Sequence, residues 1–119
     1  MSTRAHIRLI EGSYQIRLYR HSDGYEEGCG ADLKSIVEKE GFGDIEYLAA
    51  HIVRIDLDDR VPSFVPAICV HGDEEYFWVV DCDKEEIRFG DSEGTETTIY
   101  FKKGALTPPA TDKAQEGGA

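Results

Sequence analysis

The chain has 119 residues, with 13 Lys and Arg against 24 Asp and Glu, and a formal net charge of −11 at pH 7. This length supports one hydrophobic core and one domain. The charge repels phosphate backbones, which argues against direct nucleic-acid binding and favours a basic protein partner. The sequence has no apolar run long enough to span a membrane. Three cysteines without a Cys-x-x-Cys spacing indicate reduced thiols, so we expect a cytoplasmic protein.

The first two elements read as an antiparallel hairpin. Apolar residues alternate over residues 5–10 and 14–19, and the glycine-containing connector 11–13 has hairpin length. The alternation predicts one face that packs inward, made of Ala5, Ile7, Leu9, Tyr14, Ile16 and Leu18. The other face is polar and basic and is expected to meet solvent, with His6, Arg8, Arg17 and Tyr19 followed by His21.

Two helices are predicted next. Asp32 can cap a short helix that ends near Gly41, and Asp44 can cap a second helix that runs to about Arg54. The second has apolar residues at helical spacing, which predicts a face that packs on the core: Ile45, Leu48, Ala49 and Ile52. The proline-containing stretch 56–66 reads as a loop.

Four strand-like runs follow at residues 65–70, 76–81, 86–89 and 97–101, with short connectors typical of an antiparallel meander. The run 76–81 is apolar on both faces and should be central. The order ββααββββ predicts an α+β fold, with an antiparallel sheet of about six strands and two helices on one face. The domain is expected to span residues 1–103, followed by a flexible tail at 104–119. The last strand, at a sheet edge, can pair with a second copy.

The loop Arg20-His21-Ser22-Asp23-Gly24-Tyr25 is the strongest candidate for a ligand site. Arginines can hold a phosphate, the histidine can exchange protons, and glycines before a helix can form an anion nest. The predicted ligand-binding set is Arg4, Arg20, His21, Asp23, Gly24, Tyr25, Gly28 and Gly30. Glu26 and Glu27, however, place negative charge where the anion would bind. The alternative is that the loop is a structural turn in which Arg20 pairs with a local carboxylate.

The acidic residues concentrate in one segment. Residues 73–96 contain ten carboxylates opposed only by Lys84 and Arg88. The predicted partner-binding residues are Asp73, Glu74, Glu75, Asp81, Asp83, Glu85, Glu86, Asp91 and Glu93. The alternative is that these side chains simply keep strands and turns solvated.

The spacing of possible ligands predicts no metal and no cofactor. Cys69-x-His71 with Cys82, or His21 with His71, can meet only if the fold brings them together. The run from Asp81 to Glu85 has alternate carboxylates but lacks the glycine and the later glutamate of a calcium loop.

The first third of the chain resembles a group of small phage, prophage and mobile-element proteins. The resemblance lies in Ser-Thr-Arg at residues 2–4, Tyr-Arg-His-Ser-Asp-Gly-Tyr at 19–25 and the glycines at 28 and 30. It implies a shared set of Thr3, Arg4, Arg20, His21, Asp23, Gly24 and Tyr25, and a mobile-element context, but no particular activity. Glu26 stands where such proteins often have proline.

Two hypotheses follow. In the first, the chain is a non-enzymatic phage or mobile-element interaction protein, such as an anti-CRISPR inhibitor of a host defence complex, and residues 73–96 occupy a basic nucleic-acid channel. In the second, the loop at residues 20–25 binds a phosphate-bearing ligand such as a nucleotide. If the protein is an enzyme, His21 and Asp23 are its catalytic candidates. The charge pattern favours the first.

Overall fold

The computed structural model describes residues 3–55 and 63–104, which form a six-stranded sheet with two helices. The elements in chain order are β1 (Arg4–Glu11), β2 (Tyr14–Arg20), α1 (Ala31–Glu40), α2 (Ile45–Val53), β3 (Phe64–Pro66), β4 (Glu74–Asp81), β5 (Glu86–Gly90) and β6 (Thr98–Lys102). A single π-helical turn, Glu26–Gly30, leads into α1. The predicted α+β fold and element order are confirmed.

The sheet order is β3-β2-β1-β4-β5-β6, and two details differ from a purely antiparallel meander. β1 and β4 pair in parallel, because the chain leaves β2, passes through both helices and β3, and returns along the other side of β1. β3 pairs with β2 at the far edge and does not join β4. β4 lies in the interior of the sheet, as its two apolar faces predict.

The core lies between the helices and one face of the sheet. β1 contributes Ala5, Ile7 and Leu9, all fully buried, and β2 contributes Leu18. Tyr14 was expected on this face but is 75% exposed, because it pairs with Glu11 beside the hairpin turn at the sheet end.

The opposite face of the sheet, which we call the open face, was expected to meet solvent. Instead His6 is 1% exposed and Tyr19 is 3% exposed. The His71 ring stacks on Tyr19, and the side chains of Arg17 and Glu74 lie against His6. The alternation of the strands was therefore predicted correctly, whereas the burial of this face was not.

The helix ends agree with the sequence in one case and differ in the other. The Asp44 side chain accepts a hydrogen bond from the Glu46 amide and caps α2 as predicted. α1 begins at Ala31, directly after the π-helical turn, so Asp32 lies inside the helix and is not its cap. Gly41 ends α1 with φ +85°, a conformation that favours glycine.

Within the described ranges, neither helix is long and apolar enough to cross a membrane. Residues 56–62 of the predicted loop 56–66 and residues 105–119 of the predicted tail 104–119 lie outside the described residues. The end of the predicted loop instead belongs to β3, which covers Phe64–Pro66 and is shorter than the predicted strand 65–70.

Candidate functional site

Arg20, the central cation of the predicted ligand loop, is 5% exposed and is engaged by the fold. Its Nε donates to the Ser22 carbonyl at 2.6 Å, and its Nη1 lies 2.5 Å from Asp32 Oδ2. The guanidinium also lies 4.7 Å from the centre of the Phe64 ring. Arg20 therefore ties the loop to α1 and β3, as the structural-turn alternative expected.

The backbone of the same loop is fixed by hydrogen bonds to the residue before β1, to β4 and to the π-helical turn. The Gly24 amide donates to the Thr3 carbonyl at 3.0 Å, and the Gly24 carbonyl accepts from Trp78 Nε1 at 2.8 Å. The Asp23 carbonyl accepts from the Cys29 amide at 2.7 Å. Polar backbone groups that an anion nest would need are thus already paired within the turn.

The glycines of the loop allow close packing. A Cβ on Gly28 would lie 2.3 Å from the Asp23 carbonyl oxygen, and a Cβ on Gly30 would lie 2.7 Å from the Trp78 ring. The side chains of the loop also bond to each other, since the Tyr25 hydroxyl donates to Asp23 Oδ1 at 2.8 Å. This bond to a carboxylate raises the pKa of Tyr25.

The structure does not bring Arg4 and Arg20 together around one ligand position. Arg4 Nη1 donates to the Tyr19 hydroxyl at 2.9 Å and lies 3.3 Å from Asp73 Oδ2. His21 packs edge-on against the Tyr19 ring. The predicted ligand set therefore divides between the structural turn and a separate aromatic cluster on the open face.

Most of the predicted partner-binding carboxylates are paired inside the molecule. Arg88 Nη1 lies 2.9 Å from Asp81 Oδ2 and 2.6 Å from Glu86 Oε2, and both carboxylates are nearly buried. Burial alone would raise the pKa values of Asp81 and Glu86, but hydrogen bonds from Arg88, together with other donors, lower both below the ordinary range. Lys102 adds a second cation beside Glu86.

The connector between β5 and β6 supplies two more paired carboxylates. Glu93 lies 2.8 Å from Arg17 Nη1, and Glu96, which is buried, lies 3.2 Å from Arg8 Nη2. Gly90 permits this connector to fold tightly onto the sheet, because a Cβ there would meet the Thr95 carbonyl at 2.3 Å. The basic residues of the open face are therefore neutralised by this connector.

The remaining members of the predicted partner set differ in their surroundings. Glu85 lies 3.6 Å from Lys103, and Asp91 accepts from the Thr95 hydroxyl at 3.3 Å. Glu75 is exposed. Asp83 is exposed too, and its carboxylate accepts from the Gly12 amide at 2.7 Å. Asp83 is therefore the member of the predicted set that lies beside the β1–β2 hairpin, next to a second group of carboxylates.

These carboxylates form the surface that we call the acidic groove, which contains Glu11, Asp44 and Glu46, with Asp83 beside it. The groove of about 380 Å³ lies between the β1–β2 hairpin and the start of α2, and Tyr14, Gln15, Ile16 and Ile45 line it as well. Glu11 accepts from the Ile45 amide at 3.4 Å. Hairpin, α2 and the β4–β5 turn thus converge here.

The buried thiol of Cys82 lies close to several of these carboxylates. Burial raises its pKa to about 12, and the nearby carboxylates of Glu11, Asp81, Asp83 and Asp44 contribute. Of these carboxylates, Asp81 forms an ion pair with Arg88. The carboxylates at the groove form no ion pair among the described residues; they are Glu11, Asp44, Glu46 and Asp83. The groove is therefore a local concentration of uncompensated negative charge.

Sequence reasoning missed the groove because its members are far apart in the chain. Glu11 is the last residue of β1, Asp44 and Glu46 lie at the start of α2, and only Asp83 belongs to the acidic segment. The available signal was that a strand end, a turn and a helix start carry carboxylates. The sequence does not show that β1 and β4 pair in parallel, which places Glu11 near Cys82. The positions of these carboxylates relative to one another could therefore not be predicted.

A third cluster of polar side chains lies on the open face near the start of β1, whereas the groove lies near the end of β1. The His71 ring stacks on Tyr19 with 3.9 Å between ring centres, and the Tyr19 hydroxyl donates to Asp73 Oδ1 at 3.0 Å. Glu74, whose side chain is fully buried, accepts from the amides of His71 and Gly72, each at 2.7 Å. Burial alone would raise the pKa of Glu74, but these backbone bonds lower it.

His6 lies beneath this cluster, and its Nδ1 is 3.5 Å from Glu74 Oε2. Arg17 Nη1 lies 2.9 Å from the other ring nitrogen, Nε2. Burial and the charge of Arg17 lower the pKa of His6, so its neutral form is favoured.

No protein-family model, no curated protein and no solved structure matches the chain.

Proposed function

We propose that the protein is a non-enzymatic interaction protein that binds a basic segment of a partner protein in the acidic groove. The observation that carries the proposal is the set of four carboxylates, Glu11, Asp44, Glu46 and Asp83, without an ion-pair partner among the described residues. Concentrated negative charge attracts a basic partner and accelerates its association.

The lining of the groove suits lysine or arginine side chains. Tyr14 is 75% exposed at its edge, and its ring can stack on a guanidinium or ammonium group. Ile16 and Ile45 offer apolar contact to the aliphatic part of the same side chain. A groove that combines charge, an aromatic ring and an apolar floor can therefore select a cationic side chain over a simple cation.

This proposal keeps the hypothesis of an acidic interaction protein and relocates its contact surface. Asp81 and Glu86 are poor contact candidates, because replacing either one would remove one of the two carboxylates that pair with the partly buried Arg88 and would destabilise the sheet. In the inhibitor form of the proposal, the bound basic segment belongs to a nucleic-acid channel of a host complex. The phosphate-ligand alternative has less support, because a ligand at Arg20 would have to displace Asp32.

The test uses two variants with equal changes of charge. The groove variant, E11Q/E46Q/D83N, removes three negative charges from the groove and keeps side chains that can still accept hydrogen bonds. The control variant, E27Q/E38Q/E75Q, removes three charges at exposed positions elsewhere. Both leave the same net charge, so a general attraction to an acidic protein cannot distinguish them.

Tagged wild-type protein and both variants are used to capture partners from lysate of the source host at low and high salt. We expect wild type and the control variant to retain the same basic protein in a salt-sensitive manner, and the groove variant to lose it. The captured protein is then purified, and its nucleic-acid binding is measured with and without the acidic protein. Equal capture by both variants would contradict the groove as the binding surface.

A further inference from the structure

We infer that His71, Asp73 and Glu74 form a binding site for a divalent transition-metal ion of the zinc class. One potential ligand atom from each of these three residues lies within 4.8 Å of the other two. One imidazole nitrogen with two carboxylates is a ligand set that zinc accepts in sites that keep further positions for water. Neither the acidic groove nor the structural turn shares these residues.

The ligands are held in place before any ion binds. The His71 ring is stacked on Tyr19, and in the described residues neither of its ring nitrogens has a hydrogen-bond partner. Asp73 is oriented by the Tyr19 hydroxyl, and Glu74 by two backbone amides. Each carboxylate oxygen has two lone pairs, so these bonds leave capacity for a metal ion.

A second observation points to the same position, and it comes from the buried His6 ring. The Arg17 guanidinium can only donate, so His6 Nε2 accepts its hydrogen bond and the ring proton lies on Nδ1. His6 is 1% exposed, and its Nδ1 has no hydrogen-bond partner although it faces Glu74 Oε2 at 3.5 Å. A buried donor aimed at a ligand carboxylate is the arrangement that orients metal ligands.

The charge balance also favours a cation. Arg4 compensates Asp73, but Glu74 is a buried carboxylate whose nearest partner by charge is the imidazole of His6. Buried carboxylates are costly unless they are paired or coordinate metals. A divalent ion between the three ligands would add positive charge beside this carboxylate while its two backbone hydrogen bonds remain in place.

The test is a calorimetric titration of the full chain, freed of metal by a chelator, with Zn²⁺ alone. We expect one equivalent to bind, and roughly tenfold or greater weakening in H71A and in D73N. H51A is the matched control, because His51 is another partly exposed histidine beside a carboxylate, 3.5 Å from Glu40. C69S removes the exposed thiol two residues before His71 in the chain and should bind like wild type.

A second readout uses Co²⁺, whose visible absorption reports its ligands. We expect a spectrum without a thiolate charge-transfer band, lost in H71A and kept in H51A. Circular dichroism of each metal-free variant checks that the fold is intact. No Zn²⁺ binding by wild type, unchanged affinity in H71A and D73N, or loss of binding in C69S would each overturn the inference.

Discussion

Gly28→Ala is the substitution that most sharply tests whether the loop at residues 20–28 is a rigid structural turn. The new Cβ would lie 2.3 Å from the Asp23 carbonyl oxygen and 2.7 Å from the Asp23 Cβ. Both contacts are far shorter than van der Waals separation. The obstructing atoms belong to a residue whose carbonyl is also bonded to the Cys29 amide, so the turn cannot simply move aside.

The expected loss of stability has two parts. Overpacking of this kind costs about 1–3 kcal/mol. If the Asp23 carbonyl moves enough to release the buried Cys29 amide, the unpaired donor adds about 1–3 kcal/mol. With both parts, the expected decrease in the free energy of unfolding is about 2–6 kcal/mol. Gly43→Ala is the matched control, because a Cβ there meets no atom within 4 Å, and its effect should stay within about 1 kcal/mol.

Urea unfolding followed by tryptophan fluorescence measures both variants. Trp78, the single tryptophan, is fully buried and donates to the Gly24 carbonyl of the same turn, so its emission reports on this region. With a urea dependence of about 2 kcal/mol per molar, in the middle of the ordinary range, the midpoint should fall by about 1–3 M in G28A. A midpoint equal to that of G43A would refute the rigid turn.

Two further predictions concern buried charge and buried thiols. Arg88→Gln should lower the free energy of unfolding by about 3 kcal/mol, because Asp81 and Glu86 lose the cation that they share. Lys103→Gln, which removes only the exposed ion pair with Glu85, should lower it by no more than about 1 kcal/mol. Because the folded-state pKa values of Asp81 and Glu86 are lowered, their stabilisation is present above the unfolded-state pKa of about 4 and is lost as pH falls through the folded values. Unfolding measured from pH 7 to 3 should therefore show a shallower acid decline in R88Q, and parallel curves would contradict the pairing. A thiol-reactive disulfide reagent should label Cys69 rapidly in the native state, whereas Cys29 and Cys82, which are buried and have raised pKa values, should react only after unfolding; rapid labelling of all three would contradict the burial.

The secondary structure was largely readable from local patterns. Period-two alternation located the hairpin, and Asp44 located the start of α2, because both signals act over a few residues. Asp32 misled for the same reason. Aspartate is a common N-cap residue, but the π-helical turn runs directly into α1, so Asp32 is already inside the helix. Its carboxylate accepts a hydrogen bond from Arg20 and does not cap the helix.

What the sequence could not show is which charges neutralise each other. Glu93 and Glu96 are distant in sequence from Arg17 and Arg8, and they meet only because the β5–β6 connector folds back over the open face. An acidic segment therefore looked like an exposed surface although much of it forms internal ion pairs. The parallel pairing of β1 with β4 was equally hidden, since strand patterns do not encode the partner's direction.

The most direct test of the acidic groove is a ¹⁵N-resolved NMR titration with a hexalysine peptide, performed on wild type, the groove variant E11Q/E46Q/D83N and the control variant E27Q/E38Q/E75Q. The account predicts shifts concentrated at the amides of Gly12, Tyr14, Ile45, Glu46 and Asp83, weakened by added salt, retained in the control variant and lost in the groove variant. Shifts spread over the whole acidic surface, or equal binding by the two variants, would contradict it.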